Sequence, residues 1–172
     1  MKKILFLDFD GVLNTEKYQR QLRTEGRSAR DGYGPLFDPE AVENLRMILD
    51  TTGAEIIVSS SWKLEGLGKM RSLWRDRSLP GKVAGITPDT VFNPDLLSMD
   101  LEDPEVFMHL AGKGNEVRMW LEAHPGEVRY AILDDVPDFL PEQEPFYVMT
   151  DPRTGITTEI ALKVINILNG QA

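Results

Sequence analysis

The sequence predicts an α/β fold built around a parallel β-sheet with helices on both of its faces. Short apolar runs bounded by turn residues alternate with segments of helical periodicity along the chain. The first predicted strand, Lys3–Leu7, is almost entirely apolar, as expected for a strand buried on both faces. This alternation is typical of βα units, whose crossover connections generate parallel sheets.

The other elements follow in order. Asp38 is a predicted N-cap with Pro39 at the first helical position, and Gly53 ends this helix. Further apolar runs predict strands at Glu55–Val58, Lys82–Ile86, Val128–Leu133 and Phe146–Met149. Helical spacing predicts helices over 64–74, around 117–121 and over 158–168. The acidic segment at about 89–112 is predicted to be an insertion or an irregular surface segment.

Composition excludes several classes of chemistry. The 172 residues suit a single domain, residues 1–172, and include no cysteine and only two histidines. Thiol catalysis, zinc–thiolate sites, iron–sulfur clusters and a three-histidine metal site are therefore excluded. No apolar run is long enough for a signal peptide or a membrane helix, so we expect a soluble, cytoplasmic protein without membrane association. No obligate protein partner is evident.

The charge is distributed unevenly. The net charge is −9, yet residues 1–82 hold 14 Lys/Arg against 12 Asp/Glu, and residues 83–172 hold 5 against 16. An acidic total argues against a general nucleic-acid coat protein, because such binding depends on neutralising phosphates. Any polyanionic partner would have to approach the N-terminal half.

Polar residues follow three predicted strands at the point where each ends. Ligands of open parallel sheets bind beyond the carboxyl ends of the strands, so these residues are the functional candidates. They are Asp8, Asp10 and Gly11, then Ser59 and Ser60, and finally Asp134 and Asp135. Clustered carboxylates repel one another unless a cation lies between them, and oxygen ligands without His or Cys favour Mg²⁺. The sequence therefore predicts a magnesium site at this edge.

The spacing of Asp8 and Asp10 suits covalent catalysis. Residues two apart in an extended segment lie on the same side, so one carboxylate can attack while the other moves protons. Gly11 allows the backbone to turn sharply and to approach a ligand closely. A phosphoryl group is the predicted substrate, held by a serine hydroxyl, backbone N–H groups and a lysine, for which Lys113 is the candidate.

These residues resemble the motifs of the haloacid dehalogenase (HAD) superfamily. Asp8-Phe9-Asp10-Gly11-Val12 is similar to its first motif, Ser59 to its second, Lys113 to its third and Leu133-Asp134-Asp135 to its fourth, in the family's order. The segments SSSW, GITP and KGNEVRMWL…ILDD look most like the HAD domain of Swiss Army Knife RNA repair proteins. The resemblance implies a three-layer α/β/α parallel sheet with a small flap or cap insertion at about 14–37.

The resemblance also implies a role for each residue. Asp8 would be the nucleophile and a Mg²⁺ ligand, and Asp10 would be the general acid/base, with its backbone carbonyl on the metal. Ser59 and Lys113 would bind the phosphoryl group, with Gly11 beside it and Ser60 as the alternative to Ser59. Asp134 would bind the metal with Asp135 beside it, and Asp138 fits a longer version of the fourth motif. The implied activity is Mg²⁺-dependent hydrolysis of phosphomonoesters through an aspartyl-phosphate.

Several alternatives remain open from the sequence. Lys63 competes with Lys113 for the phosphate-binding role. Basic residues recur at helical spacing after the first motif and form a basic stripe. The stripe is either a solvated helix face or loop, or a clamp for a phosphate-rich substrate. Its members are Lys17, Arg20, Arg23 or Thr24, Arg27 and Arg30. The partner is accordingly a phosphorylated small molecule or a nucleic-acid end, and a non-catalytic binding or regulatory module is a third possibility. Trp62, Trp74 and Trp120 are predicted core residues, and His109 and His124 predicted surface residues.

Overall fold

Five parallel strands form the central sheet. The computed structural model describes residues 1–89, 102–104 and 111–171. The sheet strands are β1 (Lys2–Leu7), β4 (Glu55–Val58), β5 (Val83–Ile86), β6 (Val128–Asp134) and β7 (Tyr147–Met149). Their spatial order is β5-β4-β1-β6-β7, which places β1 in the middle of the sheet. All five strands begin and end within a residue of the predicted positions.

The helices cover both faces of the sheet. They are α1 (Glu16–Thr24), α2 (Pro39–Thr52), α3 (Leu67–Asp76), α4 (Lys113–Ala123) and α5 (Thr158–Asn169). Leu5 and Leu7 of β1 belong to the core cluster that α2, α3 and α5 complete. Ile4 and Phe6, which point to the other face, pack with Val117 and Trp120 of α4. The predicted three-layer α/β/α fold is confirmed.

The predicted helix over 64–74 is wrong at its start. Ser61–Glu65 form a separate 3₁₀ turn, and α3 begins only at Leu67. Gly66 lies between them with φ +92°, a conformation that a continuous helix of L-residues does not adopt. As a result Leu64 is 64% exposed instead of buried on a helix face.

The predicted flap at 14–37 contains α1 and a small hairpin of β2 (Arg30–Asp31) and β3 (Gly34–Pro35). Thr15 caps α1 by accepting a hydrogen bond from the backbone N–H of Tyr18. The guanidinium of Arg77 anchors the hairpin, because it donates to both carboxylate oxygens of Asp31 at 2.7 and 2.9 Å and to the carbonyls of Gly34 and Pro35.

The basic stripe is not one helix face. Because α1 ends at Thr24, Arg27 lies in the following turn and Arg30 lies in the hairpin. Most of the predicted insertion at 89–112, together with His109, lies outside the described residues. Within the part of the chain that is described, no helix is long and apolar enough to cross a membrane.

Candidate active site and metal centre

Strand register brings the predicted site residues to one edge of the sheet. Leu7 of β1 pairs with Val58 of β4 and with Leu133 of β6, so the residues that follow these strands are neighbours. The backbone N–H of Asp8 donates to the carbonyl of Leu133 at 3.0 Å, and that of Ser59 donates to the carbonyl of Leu7 at 2.9 Å. Residues far apart in sequence therefore meet at this edge.

Three carboxylates form a compact group at this edge. One oxygen each from Asp8, Asp134 and Asp135 lies within 4.8 Å of the others. Asp8 and Asp134 are buried, while Asp135 is partly exposed. The Nζ atom of Lys113 lies 2.6 Å from Asp134 Oδ2 and 3.2 Å from Asp8 Oδ2. A single ammonium group thus contacts two carboxylates in a group of three.

The electrostatics of the group reflect this imbalance. Burial, followed by repulsion from Asp134, raises the pKa of Asp8 from 3.8 to about 7, although Lys113 opposes the rise. Burial also raises the pKa of Asp134 against the effect of Lys113. Burial lowers the pKa of Lys113, but Asp8 and Asp134 outweigh that effect and raise it overall. The unneutralised negative charge and the all-oxygen donor set fit a hard divalent cation.

Asp10 lies next to this group and has different partners. Its Oδ1 accepts a hydrogen bond from Asn14 Nδ2 at 2.7 Å, and both of its oxygens accept from Trp62 Nε1 at 3.2 Å. Among the described residues, its carboxylate is not part of the metal-binding group. The contact expected for Asp10 was through its backbone carbonyl, and that contact stays a prediction.

Gly11 is required where the chain turns beside Asp135. Its φ is +74°, and a Cβ at this position would clash with the Asp135 carboxylate. The Gly11 carbonyl accepts a hydrogen bond from the buried Thr150 Oγ1 at 2.8 Å. The absence of a side chain therefore lets the loop after β1 and the loop after β6 approach closely.

The two serines differ in their partners. Ser59 Oγ is buried and has no hydrogen-bond partner within the described residues. Ser60 Oγ accepts from the backbone N–H of Trp62 at 3.3 Å and so caps the 3₁₀ turn. Ser59 therefore retains a free hydroxyl beside Asp8, which favours it over Ser60 as the phosphate ligand.

The two candidate lysines differ as well. Lys63 is 7% exposed, and its Nζ binds Thr87 Oγ1 at 2.9 Å, the Pro88 carbonyl at 3.2 Å and the Glu116 carboxylate. These contacts satisfy its three donors. Lys113, whose side chain is 26% exposed, instead contacts the carboxylate group directly. The geometry favours Lys113 for the phosphate-binding role.

Asp138 holds the start of α4. Its Oδ2 accepts from the backbone N–H of Lys113 at 3.0 Å, and its carbonyl accepts from the N–H of Gly114 at 2.9 Å. It does not belong to the three-carboxylate group in the described part of the chain. Asp138 therefore positions the backbone that carries Lys113.

Sequence reasoning missed three residues that support the site. Trp62, predicted to be core, packs its ring on Phe9 but donates its N–H to Asp10. Asn14 and Thr150 also bind the loop after β1, at Asp10 and Gly11 respectively. Asn14 could have been predicted to contact Asp10, because it follows Asp10 by four residues in the same loop. No feature of the sequence near Thr150 indicates its contact with Gly11. Trp74 and Trp120 are buried, and His124 is exposed, as predicted.

A family model described as the HAD domain in Swiss Army Knife RNA repair proteins matches residues 4–161. The chain belongs to this family. The resemblance carried by the four motifs is thereby confirmed, and the match spans the sheet, the flap and all three carboxylates of this HAD domain. Searches of curated proteins and of solved structures gave no significant match.

Proposed function

We propose that this HAD domain is a Mg²⁺-dependent phosphomonoester hydrolase that works through an aspartyl-phosphate on Asp8. The observation that carries the proposal is the group of Asp8, Asp134 and Asp135 with Lys113 against it. Carboxylates crowded against a single ammonium at a sheet edge suit a site that binds both a cation and a phosphoryl group. The family membership supports the same chemistry.

Asp8, Asp134 and Asp135 would hold the cation. Their oxygen donors are those that Mg²⁺ prefers. Burial, followed by repulsion from Asp134, raises the pKa of Asp8, and a bound cation would oppose both effects. When bound, the ion would polarise the phosphoryl oxygens and offset the negative charge that repels an attacking carboxylate.

Asp8 and Asp10 would divide the chemistry. An oxygen of Asp8 attacks phosphorus, the bond from phosphorus to the ester oxygen breaks, and Asp10 donates a proton to the leaving oxygen. Asp10 then accepts a proton from the water that attacks the phosphorylated Asp8. Cleavage of the bond between phosphorus and the Asp8 oxygen releases inorganic phosphate and regenerates the Asp8 carboxylate. The hydrogen bonds from Asn14 and Trp62 keep Asp10 oriented through both steps.

Ser59 and Lys113 would bind the phosphoryl oxygens. The Ser59 hydroxyl has no competing partner among the described residues, so it is available to donate to an oxyanion. Lys113 supplies positive charge between Asp8 and Asp134, at the point where negative charge increases during attack.

The deciding experiment is phosphate release from a small aryl phosphate with Mg²⁺ and with EDTA, using wild type, Asp8→Asn and Asp50→Asn. Asp50 is exposed on α2 and serves as the matched control. We expect Asp8→Asn to lower turnover by at least about 10³-fold. Because the substitution removes a buried charge that Asp134 repels, its melting temperature should not fall. Full Mg²⁺-dependent turnover by Asp8→Asn would defeat the proposal.

A second candidate is the processing of RNA or DNA ends. It is favoured by the family, whose description names RNA repair proteins, and by exposed cations in the flap. Arg20, Arg23 and Arg30 form no ion pair with a described carboxylate, unlike Lys17, which lies 2.7 Å from Glu40. Turnover of 3′- or 5′-phosphorylated oligonucleotides should then exceed that of small phosphoesters and fall steeply with salt. Equal turnover with no salt dependence contradicts this candidate.

A further inference from the structure

A cleft of about 620 Å³ opens beside Asp10. The hairpin β2–β3 forms one wall, and the 3₁₀ turn with the start of α3 forms the other. Its volume lies within the range of small-molecule binding sites, roughly 300–1,000 Å³. Asp10 and Trp62 lie at the junction between this cleft and the carboxylate group. A molecule bound there would contact the side of the site on which Asp10 lies.

Two cations line the cleft without a carboxylate partner. Neither Arg30 nor Lys69 forms an ion pair with any residue that the structure describes, and the Nζ of Lys69 lies 5.1 Å from the centre of the Tyr33 ring. By contrast, the neighbouring Arg77 is paired with Asp31. Glu65 is the other acid besides Asp10 in the lining. Unpaired cations are notable in a chain with 28 acidic and 19 basic residues, and they provide a place for an anion.

The cleft also has an apolar wall. Leu64 is 64% exposed at its rim, next to the partly buried ring of Trp62, with Pro35 on the hairpin opposite. At Gly34 a Cβ would lie 2.9 Å from the Trp62 ring, so only glycine allows the hairpin to approach the indole this closely. The cleft therefore offers apolar contact near Asp10 and positive charge from Arg30 and Lys69.

We propose that this cleft binds the leaving group of the substrate, and that Arg30 and Lys69 select a leaving group that combines a ring with a second anionic group. A nucleotide joined through a phosphodiester next to the scissile phosphate has this chemistry. The proposal rests on the proposed function, because Asp10 donates its proton to the leaving oxygen and the leaving group must therefore lie on the side of Asp10.

The test compares substrates that differ by one phosphodiester. Wild-type kcat/KM is measured on thymidine monophosphates and on thymidine dinucleotides, each phosphorylated at the 3′ or at the 5′ end. A small aryl phosphate is measured in parallel to report the chemistry of Asp8 alone. We expect the dinucleotide to be preferred by about tenfold at one end at least, with a preference that shrinks as salt rises.

Variants assign the preference to the cleft. Arg30→Gln and Lys69→Gln, alone and combined, are compared with Arg46→Gln and Lys163→Gln, which remove cations from α2 and α5. Each cleft substitution should raise KM for the dinucleotide. It should also reduce the steepness of a plot of log affinity against log salt concentration by about one. The double variant should lose most of the preference for dinucleotides, whereas the two controls should keep it.

Two outcomes overturn the proposal while leaving the proposed function intact: wild type hydrolyses the aryl phosphate but does not prefer dinucleotides, or the double variant keeps the preference. Absence of Asp8-dependent turnover on every substrate defeats the proposed function instead. Calorimetric titration of Asp8→Asn with the phosphorylated dinucleotides then tests binding to the cleft independently of catalysis. Binding that the double substitution weakens about tenfold supports the cleft. Unchanged affinity, or no binding, overturns it.

Discussion

Two polar clusters lie at the same edge of the sheet and differ in how their charges are balanced. Around β4 and β5, Lys63 is matched by Glu116, Thr87 and a carbonyl oxygen. Around β1 and β6, Lys113 contacts two carboxylates of a group of three. The hydroxyl of Ser59, which follows β4 next to this group, has no partner in the described structure. Both clusters contain a lysine that contacts at least one carboxylate, so such a contact alone does not identify a site.

The difference shows what distinguishes a structural ion pair from a candidate active site. The cluster of Lys63 is complete without a ligand, and its role is to connect the 3₁₀ turn to α4. The cluster of Lys113 has unneutralised charge and an unsatisfied donor, which raise the free energy of the unliganded state. A cation and a phosphoryl group would relieve both.

Substituting each lysine by methionine should distinguish the two clusters by the largest effects on activity and on stability. Lys113→Met should lower kcat/KM by about 10²-fold or more, because charge stabilisation of the phosphoryl group is lost. Lys63→Met should destabilise the fold by about 3 kcal/mol, because Glu116, whose side chain is only 13% exposed, is left without its partner. Thermal melting and steady-state kinetics of both variants check this.

Mg²⁺ provides the internal control for this pair. Mg²⁺ should raise the melting temperature of Lys63→Met by as much as that of wild type, because its three carboxylates and Lys113 are intact. It should raise the melting temperature of Lys113→Met by more, because the carboxylates there have lost the ammonium group that partly neutralised them. If Mg²⁺ stabilises both variants equally, the distinction between the clusters is wrong.

The raised pKa of Asp8 gives the next prediction. With a folded value of about 7 against 3.8 normally, the folded protein binds more protons than the unfolded chain between these values. The contribution of Asp8 to the free energy of unfolding of the metal-free protein should therefore fall as the pH rises from about 4 to 7. Mg²⁺ competes with the proton, so it should raise the melting temperature more at pH 8 than at pH 5.

Differential scanning calorimetry at both pH values, with Mg²⁺ or EDTA, measures this effect. In Asp8→Asn the contribution of this group to the pH dependence should disappear. A Mg²⁺-induced shift that is the same at pH 5 and pH 8 in wild type contradicts the assignment of Asp8 as a metal ligand.

The adjacent serines give the smallest expected effects. Ser59→Ala removes an unpartnered hydroxyl, so stability should be kept while kcat/KM falls by about tenfold. Ser60→Ala removes a cap and should cost about 1 kcal/mol with little change in kcat/KM. Urea unfolding and phosphatase assays distinguish them, and the reverse pattern would assign the phosphate contact to Ser60.

Much of the fold and of the candidate site followed from local pattern. The strands were predictable because runs such as Ile4–Leu7 and Glu55–Val58 are apolar and bounded by turn residues. The residues of the candidate site were predictable because a parallel sheet gathers the residues after its strands. Their roles remain predictions, since register places Asp8 beside Asp134 without testing what either does.

The sequence by itself determined the α/β architecture and the candidates at the sheet edge, because strand burial and chain order are properties of neighbouring residues. Only the tertiary structure decided that Ser60 caps the 3₁₀ turn and that the donors of Lys63 are bound away from the carboxylate group. It also decided that Asp138 holds the start of α4 and that Trp62 donates a hydrogen bond to Asp10. These outcomes depend on partners up to 53 positions away, such as Glu116 for Lys63. Spacing in the sequence specifies no such contact, because packing between elements sets these distances.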